Sequence, residues 1–238
     1  MFQLNIINAL DFYTAFSDLL PILLEGMWIA LKATVSGFAL AIVIGVLIAL
    51  GRISKSKLLN GVLVIVLEIV RGTPLLVQLV YMYYVVPLLL TLLFQIWNPG
   101  FQFTISPFLA GMLGLGMNYG CYLSEVIRSS ILNVDRGQNE AALALGYTKR
   151  QSMWSIIMPQ ATRSSVPVLG NYLVMMIKDT SLLAFITVNE LLLRTQSYAS
   201  QTFLTIESYS LLALAYLIIS LPLAQIIRLL ERRLVKHA

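Results

Sequence analysis

Apolar residues run along this chain in long, nearly unbroken blocks, and polar residues fall between the blocks rather than alternating with them. About twenty apolar residues suffice to cross a hydrocarbon core about 30 Å thick, since a helix rises about 1.5 Å per residue. Five blocks are long enough. The first extends from about Ile22 to Leu50 and yields to the basic loop GRISKSK, Gly51 to Lys57. The second extends from Leu58 to about Leu93, interrupted by Pro74 and Pro87, and ends at the turn WNPG, Trp97 to Gly100. The third runs from about Ile105 to Leu132, the fourth from about Val166 to Ile186, and the fifth from about Tyr209 to Leu230. A polar stretch with Glu190, Arg194 and Glu207 separates the last two. The pattern predicts an all-α integral membrane protein of about five transmembrane helices, with residues 1–238 forming one transmembrane domain.

Composition strengthens this reading. Hydrophobic residues make up 58% of the 238 and charged residues only 11%, against about 25% charged in soluble domains. The net charge of +5 does not point to nucleic acid, because the basic residues form no cluster with aromatics in a soluble module. They read better as topological signals. Arg52, Lys55 and Lys57 share the first loop; Arg136, Lys149, Arg150 and Arg163 lie between the third and fourth blocks; Arg228, Arg232, Arg233 and Lys236 end the chain. With five spans all three regions fall on one face, which the positive-inside rule makes cytoplasmic. The N-terminus is then outside and the C-terminus inside. The first twenty residues carry no Lys or Arg, unlike a secretory signal, and are expected to remain as an outer segment, partly helical along the membrane surface.

The stretch NEAALALGYTKRQSMWSIIMPQA, Asn139 to Ala161, is too polar to span a bilayer. Gln138 to Leu145 are helix formers, and Gly146 stands where a left-handed residue ends a helix. Thr148 with Gln151 fits a capping box, which starts a second short helix from Lys149 to about Met158. Pro159 marks the point at which that helix should give way. Ala141, Ala142, Leu145 and Met153 are available for close packing against another protein, and Glu140, Lys149 and Arg150 can pair with its rim. On pattern alone, an interfacial helix lying against headgroups fits equally well.

Glu140-Ala141-Ala142, then Gly146, Ile156 and Pro159, resembles the EAA loop of ABC-importer permeases, with Met158 where that family usually has Leu. The stretches EIVRGTPLLVQL (Glu68 to Leu79), YLSEVIRSSI (Tyr122 to Ile131), RGQNEAALALG (Arg136 to Gly146) and IKDTSLLAFITVNEL (Ile177 to Leu191) are similar, in order, to the polar amino acid uptake subgroup. The chain departs from that pattern at Gly170-Asn171-Tyr172, where many relatives read Gly-Asn-Glu. The resemblance implies a multi-pass protein of the bacterial inner membrane that imports a polar amino acid by alternating access. It implies that the loop over about 135–161 is a coupling helix seated on a cytosolic ATPase dimer, through Glu140, Ala141, Ala142, Gly146, Lys149, Arg150, Ile156 and Pro159. A second permease subunit, identical or related, and an extracytoplasmic amino-acid-binding protein complete the expected assembly in the bilayer.

The chain has no phosphate-binding Gly-x-x-x-x-Gly-Lys-Ser/Thr loop, so ATP and Mg are expected on the partner and no cofactor on this chain. With one histidine, His237 in the tail, and one cysteine, Cys121, it can assemble neither a Ser-His-Asp triad nor a His/Cys metal cluster. No enzyme is expected. Charges inside spans are functional by default, since each costs about 2.5–3.5 kcal/mol on insertion scales. Glu68 and Arg71 sit at i and i+3, as do Glu125 and Arg128, and the latter two suit an ion pair near a cytosolic gate. Counting from the helix ends brings Arg71, Asn118, Tyr119, Lys178 and Asp179 to similar depths near the middle of the membrane. That layer, with the hydroxyls of Thr180 and Ser181, would suit a zwitterion. Pro74 would free backbone carbonyls beside it. The repeats Gly116-x-x-x-Gly120 and Ala41-x-x-x-Gly45-x-x-x-Ala49 predict close helix packing. A stand-alone ion-coupled carrier is the alternative, although no inverted repeat is visible; a membrane scaffold without transport is the third reading.

Overall fold

The computed structural model describes residues 10–235, so Lys236, His237 and the first nine of the twenty residues expected to form an outer segment lie outside the described residues. Helix α1, Phe12–Ile53, is 42 residues long, about 63 Å, and reaches well beyond a bilayer core. Residues 12–20 therefore belong to the first spanning helix and do not form a separate surface segment. Asp11 caps this helix by accepting from the Thr14 amide at 2.9 Å.

Helix α2, Lys57–Arg71, stops at Gly72, and α3, Leu75–Gln95, restarts after Pro74. The interruption expected at Pro74 is present. The one expected at Pro87 is not: a π-turn over Tyr81–Val85 precedes that proline, and the helix continues. A widened turn removes the need for the amide that proline lacks. Helix α4, Pro107–Leu132, is followed by α5, Arg136–Ala144. Helix α6, Lys149–Ile186, is one continuous 38-residue helix that runs through Pro167 and closes in 3-10 turns from Thr180. Pro159 was expected to end a short helix here, and it does not. A second π-turn, Met153–Ile157, lies just ahead of it, in the same relation that the first bears to Pro87. Helices α7, Leu191–Thr202, and α8, Thr205–Val235, complete the described chain.

Four of these helices, Phe12–Ile53, Leu75–Gln95, Lys149–Ile186 and Thr205–Arg233, are long and apolar enough to cross a membrane. The protein is an all-α membrane protein. Helix α4, at 26 residues, is long enough as well but less apolar, because it runs through the middle of the bundle: Gly111, Gly114, Gly116, Asn118, Tyr119, Gly120 and Ser124 are all buried. It faces protein rather than lipid, so hydropathy alone underrates it.

The two predicted small-residue repeats pack against each other. A Cβ at Gly120 would lie 2.7 Å from Ile44 and 3.3 Å from the Ala41 carbonyl oxygen. One at Gly45 would lie 3.1 Å from the Leu123 Cβ and 3.3 Å from the Gly120 carbonyl oxygen. The backbones of α1 and α4 thus touch.

The stretch with Glu190, Arg194 and Glu207, read from the sequence only as polar, is an ordered element. Glu190 is fully buried, caps α7 by accepting from the Leu192 and Leu193 amides, and accepts from the Tyr216 hydroxyl at 2.9 Å. Arg194 pairs with Glu25 of α1 at 2.7 Å, and Glu207 accepts from the Asp11 amide at 3.0 Å. Polar residues here are the mortar between α7, α8 and the projecting end of α1.

Gly45→Leu should lower the thermal unfolding midpoint in detergent, by an overpacking cost of about 1–3 kcal/mol. Gly61→Ala, at a helical position with open space around it, should leave the midpoint unchanged or raise it. Equal midpoints for the two variants would contradict the close α1–α4 contact.

Candidate functional site

The break between α2 and α3 leaves backbone groups without helical partners, and inside a membrane such groups must be satisfied by the protein. Gln78, one turn into α3, does this. Its Nε2 donates one hydrogen to the Val70 carbonyl at 2.6 Å and directs the other at Thr73, whose hydroxyl lies at 2.8 Å and carbonyl at 3.1 Å. Its Oε1 accepts from Asn118 Nδ2 of α4 at 3.0 Å. One amide side chain therefore closes the break and ties it to the central helix.

A cavity of about 510 Å³ opens beside the break, lined from α2 by Arg71, from the break by Gly72 to Leu75, from α4 by Asn118, Tyr119 and Tyr122, and from α6 by Tyr172, Met175 and Asp179. Its size lies within the range of about 300–1,000 Å³ usual for small-molecule sites. Helical spacing explains the lining. Positions 118, 119 and 122 share one face of α4, and 172, 175 and 179 share one face of α6. Arg71 donates from Nη2 to the Cys121 carbonyl at 2.9 Å and lies over the Tyr122 ring, 5.4 Å from its centroid. Its Nε is buried without a hydrogen-bond partner. Asp179 accepts from the Tyr119 hydroxyl at 2.7 Å.

Four of the residues expected to line a substrate path, Arg71, Asn118, Tyr119 and Asp179, thus share one cavity. Three do not line it. Lys178 is exposed, being turned about 100° from Asp179 around the helix. Thr180 is fully buried and donates to the Ile177 carbonyl at 2.7 Å, and Ser181 follows it into the 3-10 turns that lead away. Glu68 is exposed and forms no ion pair with Arg71 among the described residues, because the guanidinium turns toward α4. Glu125 does pair, with Arg52 of α1 and with Arg128 at 3.6 Å, and Arg52 also donates to Asn60 Oδ1 at 3.2 Å. This cluster joins α1, α2 and α4 beside the basic loop. Gln78, Tyr122 and Met175 were not singled out from the sequence, and Tyr172 was noted only as a departure from the pattern of relatives; the i, i+3, i+7 spacing of Tyr172 and Met175 with Asp179 was the available signal.

The loop expected to couple to a partner has well-defined geometry. Asp135 caps α5, Gly146 has φ of 86°, and the Thr148–Gln151 capping box is formed in both directions. Ser152, fully buried, donates to Asn139 Oδ1 at 2.7 Å and fixes α5 on α6. Glu140, Ala141, Lys149 and Arg150 are exposed, and Leu145 is 79% exposed; Ile156 is half-buried and Pro159 exposed. Ala142, expected to meet another protein, is instead buried within the loop, since it lies on the face of α5 turned toward α6.

Residues 41–236 match the family described as binding-protein-dependent transport system inner membrane component. The chain is 35% identical over 222 residues to the glutamine transport system permease protein GlnP of Escherichia coli K12, covering 93% of this chain and 97% of that one. It is also 35% identical over 218 residues to the L-cystine transport system permease protein TcyB of Bacillus subtilis 168, covering 91% and 88%. Among solved structures, an amino acid ABC transporter crystallised with histidines superposes with a TM-score of 0.82 at 32% identity, over 94% of this chain and 99% of that one. The MetNI methionine ABC transporter, at 17% identity and a TM-score of 0.66, shares the fold.

Gln78→Leu should destabilise the protein by about 1–3 kcal/mol, because the freed carbonyls lose their donor. Gln78→Glu, which also lacks the donor, should do the same. Thermal unfolding in detergent checks both, and an unchanged midpoint for both would show that the break is held by other means.

Proposed function

The chain belongs to the family of binding-protein-dependent transport system inner membrane components and is a multi-pass permease subunit of an ABC importer; from that premise we propose how it works and what it carries. It carries a polar amino acid toward the cytoplasm through the cavity beside Arg71, with residues 1–238 acting as one transmembrane domain. Five helices span the bilayer, α4 included, with the N-terminus outside. The Lys and Arg distribution supports that orientation, in which the α5–α6 loop faces the cytosol.

Energy comes from outside the chain. A cytosolic ATPase dimer, which binds ATP and Mg, seats the loop through the exposed Glu140, Ala141, Lys149 and Arg150 and through the apolar surface at Leu145. A second permease subunit forms the other half of the pathway, and an extracytoplasmic binding protein delivers the cargo.

The observation that carries the mechanism is the continuity of α6. The same rod that begins at the loop, at Lys149, carries Tyr172, Met175 and Asp179 into the cavity. From Lys149 to Asp179 the rise is about 45 Å. Asn139 and Ser152 fix α5 to its base, so a force on the loop enters the rod directly. When ATP draws the ATPase subunits together, α6 moves against α4, and the Asp179 wall of the cavity moves with it. The Glu125 cluster, which ties α1, α2 and α4, supplies the frame against which it moves and lies where a cytosolic gate is needed. An ion-coupled carrier would need no such loop.

Gly146→Val should cost the turn about 1–2 kcal/mol, since an L side chain is strained at this φ. It and Glu140→Lys should each release or uncouple the co-purifying ATPase, and ATP-driven uptake into proteoliposomes should fall with them. Retention of both by both variants would overturn the coupling role. Uptake under an ion gradient in ATP-free vesicles would favour the carrier.

A further inference from the structure

The geometry points to the side-chain class of the cargo: an amino acid with an uncharged side chain that packs on aromatic rings, with Tyr172 as the specificity-determining residue. This rests on the reading of the cavity as the translocation site.

The charges of the lining come first. Among the described residues, Arg71 and Asp179 are its one cation and one carboxylate. Arg71 spends one nitrogen on the Cys121 carbonyl and has no carboxylate partner among the described residues, so it suits an α-carboxylate. Asp179 takes a single hydrogen bond, from Tyr119, and keeps acceptor capacity for an α-ammonium. Asn118 has its amide nitrogen committed to Gln78, which leaves its oxygen as a second acceptor. The two ends of a zwitterion therefore use both charges of the site. A charged side chain would bring a third charge with no counterpart, and burying an unpaired charge is costly.

The rest of the lining is aromatic and soft. Tyr172 stands edge-on to Tyr119 at 6.2 Å between centroids and stacks with Tyr122 at 6.1 Å, and Met175 lies one turn further along α6. Such a wall packs well on apolar, aromatic, amide or thioether side chains. Tyrosine faces also attract cations. Here that place is already filled, because the Arg71 guanidinium lies over Tyr122, and a second cation would be repelled by it.

The test uses the full chain with its co-purified ATPase in lipid nanodiscs, without the external binding protein, so that only the cavity selects. Equilibrium binding is measured for L-methionine, L-glutamine, L-phenylalanine, L-arginine and L-glutamate. At least one neutral amino acid should bind roughly tenfold or more tighter than arginine and glutamate. Tyr172→Glu, which adds a carboxylate to the wall, should move the preference toward arginine, and Tyr172→Phe should keep the neutral preference. If arginine or glutamate binds the unaltered chain as tightly as every neutral amino acid, and Arg71→Gln abolishes that binding, the specificity inference falls and the cavity stands. If no amino acid binds, or if Arg71→Gln and Asp179→Asn, with the complex still intact by size-exclusion chromatography, leave binding unchanged, the reading of the cavity falls and the inference with it.

Discussion

A backbone amide or carbonyl left unpaired in hydrocarbon costs several kcal/mol, and most of this structure follows from how the chain avoids that cost. At two prolines a π-turn just ahead keeps the helix running, at Tyr81–Val85 before Pro87 and at Met153–Ile157 before Pro159, while Pro21, Pro167 and Pro222 sit inside helices that continue past them without one. Where the helix does open, between Arg71 and Leu75, the side chain of Gln78 answers for the exposed carbonyls. The same constraint therefore leaves α6 a continuous helix with a polar opening beside it, the two features that the proposed lever requires. Transport needs both: a rigid part to convey displacement, and a place where polar cargo can meet polar groups.

The frame around that opening is made by small residues and by ion pairs at different levels. Near the middle, Gly45 and Gly120 let α1 and α4 meet backbone to backbone, which leaves no lipid between them. At the end near the basic loop, Glu125 gathers Arg52 and Arg128. At the other end, Glu190, Arg194 and Glu207 fasten α7 and α8 to the projecting part of α1. The cavity wall contributed by α6 lies between these fastenings, so α6 can shift while α1 and α4 hold together.

Much of this was legible in the sequence because it rests on local rules. Hydropathy gave the four helices long and apolar enough to cross a membrane, the spacing of Gly116 and Gly120 gave the packing face, and Thr148 with Gln151 gave a capping box that is present. Gly146 was identified as left-handed from its position alone. The failures arose where a tertiary partner decides. Pro159 reads locally as a helix end, and a distributed π-turn leaves no residue signature. Lys178 and Asp179 are adjacent in sequence, yet only one faces the cavity, and the depth counted along the helix says nothing of rotation. Gln78 looked like an ordinary member of a motif, because the carbonyls it serves are exposed only once the helix has broken. Tyr172 was noted as a departure from relatives, but its meeting with Tyr119 and Tyr122 depends on how α4 and α6 cross.

The central claim is that α6 moves as one rod from the loop to the cavity, and distances between spin labels during the ATP cycle test it most directly. In a Cys121→Ala background, with the ATPase present, one pair joins Ser155→Cys to Lys178→Cys along α6, and a second joins Lys178→Cys to Ile69→Cys across the cavity. The account predicts that the first distance, about 35 Å by helical rise, stays the same when nucleotide is trapped, while the second changes. A change in the first with the second held constant would mean that the helix yields at an internal turn, and the lever would be refuted.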